Sequence, residues 1–468
     1  MSRPIASNLA RSSPLSTVRR DQVAIDPLEG GAPSGPSTPQ QRNSPKGEPA
    51  VPFQRLLQPQ EILENETKHF LLQCKKPPVN GDIISQDYEG LIALAQSFYW
   101  PKVLQLSGKL LFESENFPEH LLGSVTRLRF EAQYRMKLYD ELATEISGLI
   151  AEETKKIESG GNNSGFNYDV IVSMRLLLND VKLMTGRSEE AVEQLHNIKT
   201  WLSTEKPSNN VIFWMWQVKC HIVNGYIRLR NWKQASLELN CMINELHQRV
   251  NACTNAEDRS SLIKAQILLL TRLSRMLFQV GSIKKGVLYF EKASSLAGSD
   301  VAVAKDSAVQ TQLLLNQGLL HFASEQFERA LDIFTTVIDT EGAAASQRGS
   351  QQSGVDSLLA LGGLQLSEGA GEGSVDRAIA ASLSLHGLRT DSSDGGELAT
   401  AVNNLAICSL YVKQIRKAIN SLEQLIITDP ARYLIDPVVF NLCTLYDLSY
   451  APDASVTKKK LMQRVASE

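Results

Sequence analysis

The side chains able to do chemistry are scattered. The seven histidines are His69, His120, His196, His221, His247, His321 and His386. A helix-borne zinc site needs two of them four residues apart with a glutamate between, and no pair has that spacing. A nucleophilic serine on a strand-to-helix elbow needs Gly-x-Ser-x-Gly, which does not occur. The nearest thing to a phosphate-cradling loop is Gly369-Ala370-Gly371-Glu372-Gly373-Ser374, ahead of an expected helix from Val375. Ser374 stands where the third glycine belongs, no strand precedes the loop, and the Lys-Ser/Thr of a P-loop is missing. The six cysteines (Cys74, Cys220, Cys241, Cys253, Cys408, Cys443) form no C-x-x-C pair, which argues against a zinc or thioredoxin-like motif. Isolated thiols in apolar helical stretches are inert core residues of a reduced, cytoplasmic protein. The acidic pairs Glu152-Glu153 and Glu189-Glu190 read as solvated helix ends and faces. The chain is expected to be no enzyme and to hold no metal or cofactor.

The elements carrying these residues are helices almost throughout. Of 468 residues, 43% are hydrophobic and 21% charged, and the net charge is −3. That length accommodates two or three domains or one long repeat array, and a near-neutral chain lacks the positive field of a nucleic-acid binder. No apolar run approaches the roughly 18 residues of a membrane span. Arg3, Arg11, Arg19 and Arg20 give the start of the chain a transit-peptide composition, but Pro4 and Pro14 would break the helix such a peptide needs. The sequons at Asn65 and Asn162 are chance matches without a secretory signal. Residues 1–52 carry nine of the 18 prolines and no aromatic residue, so a disordered arm is expected. Ser13, Thr38 and Ser44 each precede a proline in it, as proline-directed kinases require. Residues 341–397 carry 11 of the 29 glycines and read as a flexible insert, with a degenerate hairpin around Leu358–Leu366 and Val375–Leu385 as the alternative. Helical repeats then occupy 53–340, with a C-terminal repeat and closing helices over 398–468.

One pattern recurs in register. Phe327, Ala330, Leu331, Phe334, Val337 and Ile338 share a helix face, and Ile415, Ala418, Ile419, Leu422, Leu425 and Ile426 repeat it 88 positions later. Ile283, Gly286, Val287, Phe290 and Ala293 precede the first set by 44. Weaker copies begin at Trp232, Ala191 and Tyr139. Gly318 and Ala406 lie 12 positions before Ala330 and Ala418, so small residues face each other where two antiparallel helices approach. Pro430 stops the last such helix. This is the tetratricopeptide pattern, and the fold class expected is all-α: about seven stacked hairpins from Tyr88–Phe112 onward, plus a closing helix at Val438–Leu448. Phe213-Trp214-Met215-Trp216 reads as packing between hairpins, with an exposed partner site as the alternative. His321 reads as a packing or capping residue.

The C-terminal stretch is more specific. Asn403-Asn404-Leu405-Ala406, Leu410-Tyr411, Leu422-Glu423, Asp429-Pro430, Tyr433-Leu434, Phe440-Asn441-Leu442, Thr444, Tyr446 and Leu448 resemble the end of the twelfth-subunit family of the TRAPP (transport protein particle) vesicle-tethering complex. The resemblance implies a non-catalytic scaffold subunit of an assembly that exchanges nucleotide on Rab GTPases in endoplasmic-reticulum-to-Golgi and Golgi traffic. Its implied partners are other TRAPP subunits, with only an indirect link to the Rab. Its implied place is the cytoplasm, peripheral to those membranes. Asn403, Tyr411, Arg432, Tyr433 and Asn441 are the candidate protein-contact residues. The insert at 341–397 departs from the family, whose hairpins run on directly there. The alternative reading is a co-chaperone, whose clamp holds a C-terminal carboxylate with Lys and Asn from successive repeats. Asn224 and Arg272 fit such a clamp, whereas Cys220 and Leu268 stand where its other members belong.

Overall fold

The computed structural model describes residues 85–112, 121–158, 168–348, 373–389 and 396–467. The expected arm at 1–52 and the first half of the alternative hairpin, 358–366, lie outside them. All regular structure among the described residues is helical. The first eleven helices are α1 (Tyr88–Gln96), α2 (Trp100–Phe112), α3 (Leu122–Arg135), α4 (Tyr139–Glu158), α5 (Tyr168–Met184), α6 (Ser188–Thr204), α7 (Asn209–Arg228), α8 (Trp232–Ala252), α9 (Ala256–Gln279), α10 (Ile283–Ser299) and the short α11 (Val301–Ala304). Then come α12 (Ser307–Ala323), α13 (Phe327–Arg348), α14 (Gly373–Arg389), α15 (Gly396–Tyr411), α16 (Ile415–Thr428), the short α17 (Pro430–Tyr433), α18 (Asp436–Ser449) and α19 (Pro452–Ser467). They form a tetratricopeptide-type succession of hairpins: α1/α2, α3/α4, α5/α6, α7/α8, α9/α10, α12/α13, α15/α16 and α18/α19.

Seven of these hairpins turn in the same way. The first helix ends on a residue in the left-handed region: Phe98, Lys137, Gly186, Arg230, Gly281, Glu325 or Lys413, with φ between 56° and 85°. The next N–H then reaches back to the carbonyl five residues earlier. Examples are Tyr99 to Leu94 at 3.0 Å, Gln326 to His321 at 2.9 Å and Gln414 to Ser409 at 2.7 Å. This is the Schellman arrangement, which satisfies carbonyls that the helix end would otherwise orphan. Only two of the seven positions are glycine, so five L-residues accept a conformation they disfavour. Several helix starts are fixed by side-chain caps. Asp306 Oδ1 accepts from the Val309 N–H at 3.1 Å, and Asp429 Oδ1 from that of Arg432 at 3.2 Å.

Five positions past each left-handed residue, and seven before it, the paired helices meet. The facing pairs are Leu91/Val103, Phe130/Leu142, Asn179/Ala191, Val223/Ala235, Ser274/Gly286, Gly318/Ala330 and Ala406/Ala418, all buried. The last three pairs are small, as the spacing predicted for Gly318/Ala330 and Ala406/Ala418. A Cβ on Gly318 would stand 2.5 Å from the Phe334 ring, and one on Gly286 would stand 2.4 Å from Phe278. At the third small pair, the Ser274 hydroxyl donates to the Gly286 carbonyl at 2.8 Å. Ala418→Leu is expected to overpack the contact with Ala406 and cost about 1–3 kcal/mol. Ser421→Ala, whose hydroxyl only back-bonds to the Lys417 carbonyl, stays within about 0.5 kcal/mol. Equal shifts in urea midpoint for the two variants would contradict the register.

Each apolar core bridges neighbouring hairpins. Phe130, Leu142 and Ile146 pack with Met174 and Val181 of the next hairpin. Leu315, Ala330 and Phe334 pack with Ala401, Leu405 and Cys408. Thus α13 meets α15 directly, although residues 349–395 intervene in sequence. Within that stretch, where composition suggested a flexible insert, the structure has α14, covering the expected Val375–Leu385. Its apolar residues are buried against α7 and α9, which explains why a helix with so few large side chains is ordered. The Phe213–Trp216 cluster is core as expected: Phe213, Trp214 and Trp216 are buried.

Candidate protein-interaction surface

The candidate contact residues lie on the last two hairpins, and the structure gives them different roles. Asn403 on α15 and Asn441 on α18 meet, with Asn441 Nδ2 donating to Asn403 Oδ1 at 2.8 Å. Their amides tie neighbouring hairpins together. Tyr433, at the end of α17, is 5% exposed and belongs to the core with Val438 and Leu442. Burial pushes its phenol pKa up, and it offers no face to a partner. Arg432 stacks its guanidinium over Tyr433 at 5.6 Å and over Phe98, in the turn of the first hairpin, at 5.8 Å. Beside it, Lys137 of the second hairpin's turn pairs with Asp436 at 2.6 Å. Tyr411 closes α15, stacks on Phe327 with ring centroids 4.5 Å apart, and remains 38% exposed. Of the five, it is the one that presents a large aromatic surface.

Helix α18 adds what the candidate set lacked. Val438, Leu442, Leu445 and Tyr446 fill the core. The opposite face carries Phe440, Thr444 and Leu448, four residues apart in turn and therefore in line. Phe440 is 52% and Leu448 60% exposed, and Val456 on α19 is half exposed. All three residues of the α18 line were among those carrying the family resemblance, yet the core has no use for them. That mismatch between specific resemblance and helical periodicity was the available signal.

Beneath this face the last hairpin is held by a buried polar cluster. Glu423 of α16 accepts from the Tyr446 hydroxyl at 2.7 Å and from Lys458 Nζ at 3.2 Å. Burial first, then the Glu423 charge, raise the Tyr446 pKa far above its ordinary value. The phenol stays protonated and keeps donating.

The clamp positions of the co-chaperone reading are spent internally. Arg272 is 8% exposed and its guanidinium donates to Asn224 Oδ1. Burial drives the Cys220 thiol pKa up to about 11 against the opposing pull of Arg272 and Lys219. Cys408 is likewise pushed up to about 12 by burial. His321 engages Gln326 across its own hairpin turn at 2.8 Å. Among the described residues no cluster of His, Cys, Asp or Glu has the makings of a metal site. No helix among them is long and apolar enough to cross a membrane.

No family model matches the chain. It is 21% identical over 434 residues to trafficking protein particle complex subunit 12 of Mus musculus, covering 84% of this chain and 45% of that protein. It is 22% identical over 435 residues to subunit 12 of Homo sapiens, covering 84% and 48%. The chain thus spans about half the length of the curated relatives it matches. A solved structure, the anaphase-promoting-complex hetero-tetramer Cut9–Hcn1, aligns over 88% of both chains at 12% identity with a TM-score of 0.21. Along most of its length, then, the chain is similar to subunit 12 of the trafficking protein particle complex, the resemblance that Asn403 through Leu448 carried in the sequence.

Proposed function

We propose that this chain is a non-catalytic scaffold subunit of a TRAPP vesicle-tethering assembly. It acts in endoplasmic-reticulum-to-Golgi and Golgi traffic, on the cytoplasmic side and peripheral to the membranes. The observation that carries the reading is similarity to subunit 12 of two mammals over 84% of the chain. The line Phe440–Thr444–Leu448, with Tyr411, supports it as a surface for other subunits, since exposed aromatic and aliphatic anchors are what subunit interfaces bury. Stacked hairpins offer long faces for docking rather than an enclosed pocket for a small substrate. The Rab link is indirect, through the assembly, and nucleic acid has no part in it.

Affinity purification of the tagged full chain from cells tests the reading. TRAPP subunits are expected to co-purify, and Phe440→Glu with Leu448→Glu is expected to lose them while leaving the helical content unchanged. The purified chain alone is expected to leave nucleotide release from Rab proteins at its spontaneous rate. Capture of a chaperone's C-terminal peptide with no tethering subunit, or accelerated nucleotide release by the chain alone, would overturn the proposal.

A further inference from the structure

Helix α14 stands outside the succession of hairpins. Helices α13 and α15 pack on each other directly, while α14 lies across α7 and α9, the first helices of two much earlier hairpins. Among its described side chains, Ala378, Ile379, Ala380, Ser382 and Leu383 are buried, and Ala378, Ile379, Ser382 and Leu383 stand at relative positions i, i+1, i+4 and i+5. Ile379 and Leu383 enter the core around Trp216, Cys220 and Leu262, and Ala378 meets Phe213 and Trp214.

The seat reads this helix in two ways. Gln217, 5% exposed, donates its side-chain amide to the backbone carbonyl of Ser382 at 2.6 Å. A carbonyl inside a helix already accepts one intrahelical bond, so Gln217 takes the remaining lone pair. That contact asks for no particular side chain, only for one small enough to let the helix come close. The charges are more selective. Asp258, 1% exposed, is met by Arg377 Nε at 2.8 Å, and Arg249 Nη1 lies 3.5 Å from Asp376. A buried carboxylate is tolerated only when paired, so an occupant must bring a base to Asp258.

Helix α14 fills the seat incompletely. Asp258 Oδ2 and the Ser382 hydroxyl are buried with no hydrogen-bond partner among the described residues. Arg377 binds one oxygen of Asp258 through Nε, whereas a guanidinium can serve a carboxylate through two parallel bonds. The seat therefore has one buried carboxylate oxygen that its present occupant leaves unused, whereas the Ser382 hydroxyl is an unsatisfied group of α14 itself.

We propose that the groove across α7 and α9 is a helix-binding site, filled here by the chain's own α14. A partner helix displaces α14 by presenting the same face: arginine at i−1, small residues at i and i+4, and large aliphatic residues at i+1 and i+5. The apparent affinity for that partner is lowered by the fraction of chains whose groove is already occupied.

The experiment uses the full chain with protease sites inserted within 349–372 and 390–395, so that α14 can be cut free. The probe is a fluorescent synthetic peptide of residues 373–389, read by anisotropy. The cut chain is expected to exchange its own segment for the probe and to bind it at least about ten-fold more tightly than the uncut chain, as release from self-occupancy requires. A probe carrying Arg377→Asp is expected to bind about ten-fold more weakly and to recover on a chain carrying Asp258→Arg. A host helix of unrelated sequence bearing only the five face residues is expected to compete, and Gln217→Ala to weaken every peptide alike. Loss of helical signal from the hairpins when α14 leaves would make it part of the core and overturn the proposal. So would a folded cut chain that takes up no probe, or one that binds both probes equally.

Discussion

Phe334→Ala is expected to lower stability by about 3–5 kcal/mol, the range for emptying a buried phenylalanine site. Phe334 is fully buried between Gly318 of its own hairpin and Ala401, Leu405 and Cys408 of the next. The cavity cannot close cheaply. Gly318 has no side chain to swing in, and α12 and α13 are clamped by the Schellman turn at Glu325. In a stack of hairpins the loss is felt at the interface between neighbours. Hydrogen exchange should therefore show α13 and α15 losing protection together, while α3 to α6 keep theirs. Uniform loss over all hairpins would mean that they do not behave as nearest-neighbour units. Phe334→Leu, which keeps most of the volume, should recover more than half of the difference.

The second large effect sits at Lys458. Lys458→Met keeps the length of the apolar stem but strips Glu423 of its cation and removes the ammonium from over the Tyr446 and Tyr450 rings. Lys458 is 4% and Glu423 15% exposed at the side chain. Removing one partner of so buried a pair costs about 3 kcal/mol. Lys458→Met with Glu423→Gln removes both charges, keeps an acceptor for the Tyr446 hydroxyl, and should restore most of that, because desolvating the pair offsets much of its attraction. A double variant no better than Lys458→Met alone would show that the cost is lost packing and not an orphaned charge. The unfolding midpoint of α16 to α19, followed by exchange, is the measurement.

The fold was legible where the facing pairs are small. Gly318/Ala330 and Ala406/Ala418 stand out because few sequences place two small residues 12 apart on apolar faces. Toward the N-terminus the same geometry is filled by Leu91/Val103 and Phe130/Leu142, which look like any amphipathic stripe. The turn at the second hairpin places Leu142, not the neighbouring Ala143, at the facing position. The left-handed residue of each turn was hidden as well, because Phe98, Lys137, Arg230, Glu325 and Lys413 carry no preference for that conformation. A helix from Val375 was legible, but its burial was hidden by composition. Ala378, Ser382 and a glycine-rich approach read as a linker, and only Trp214, Trp216 and Asp258, far away in sequence, explain its burial. Of the candidate contacts, Asn403 and Asn441 proved to join hairpins and Tyr433 to be core. Matched residues need not be surface residues, and the sequence does not separate the two without the helix phase. Phe440 and Leu448 become separable once Val438, Leu442 and Tyr446 fix the buried side of α18.

The proposed role of this chain is to join an assembly, and mixing purified components puts that role to the test. The full chain, added to a purified TRAPP assembly lacking its twelfth subunit, is expected to comigrate with it on size exclusion. The Phe440→Glu, Leu448→Glu variant should elute alone while remaining helical. A full chain that keeps its helical spectrum and elutes apart from the assembly at micromolar concentration would contradict the account.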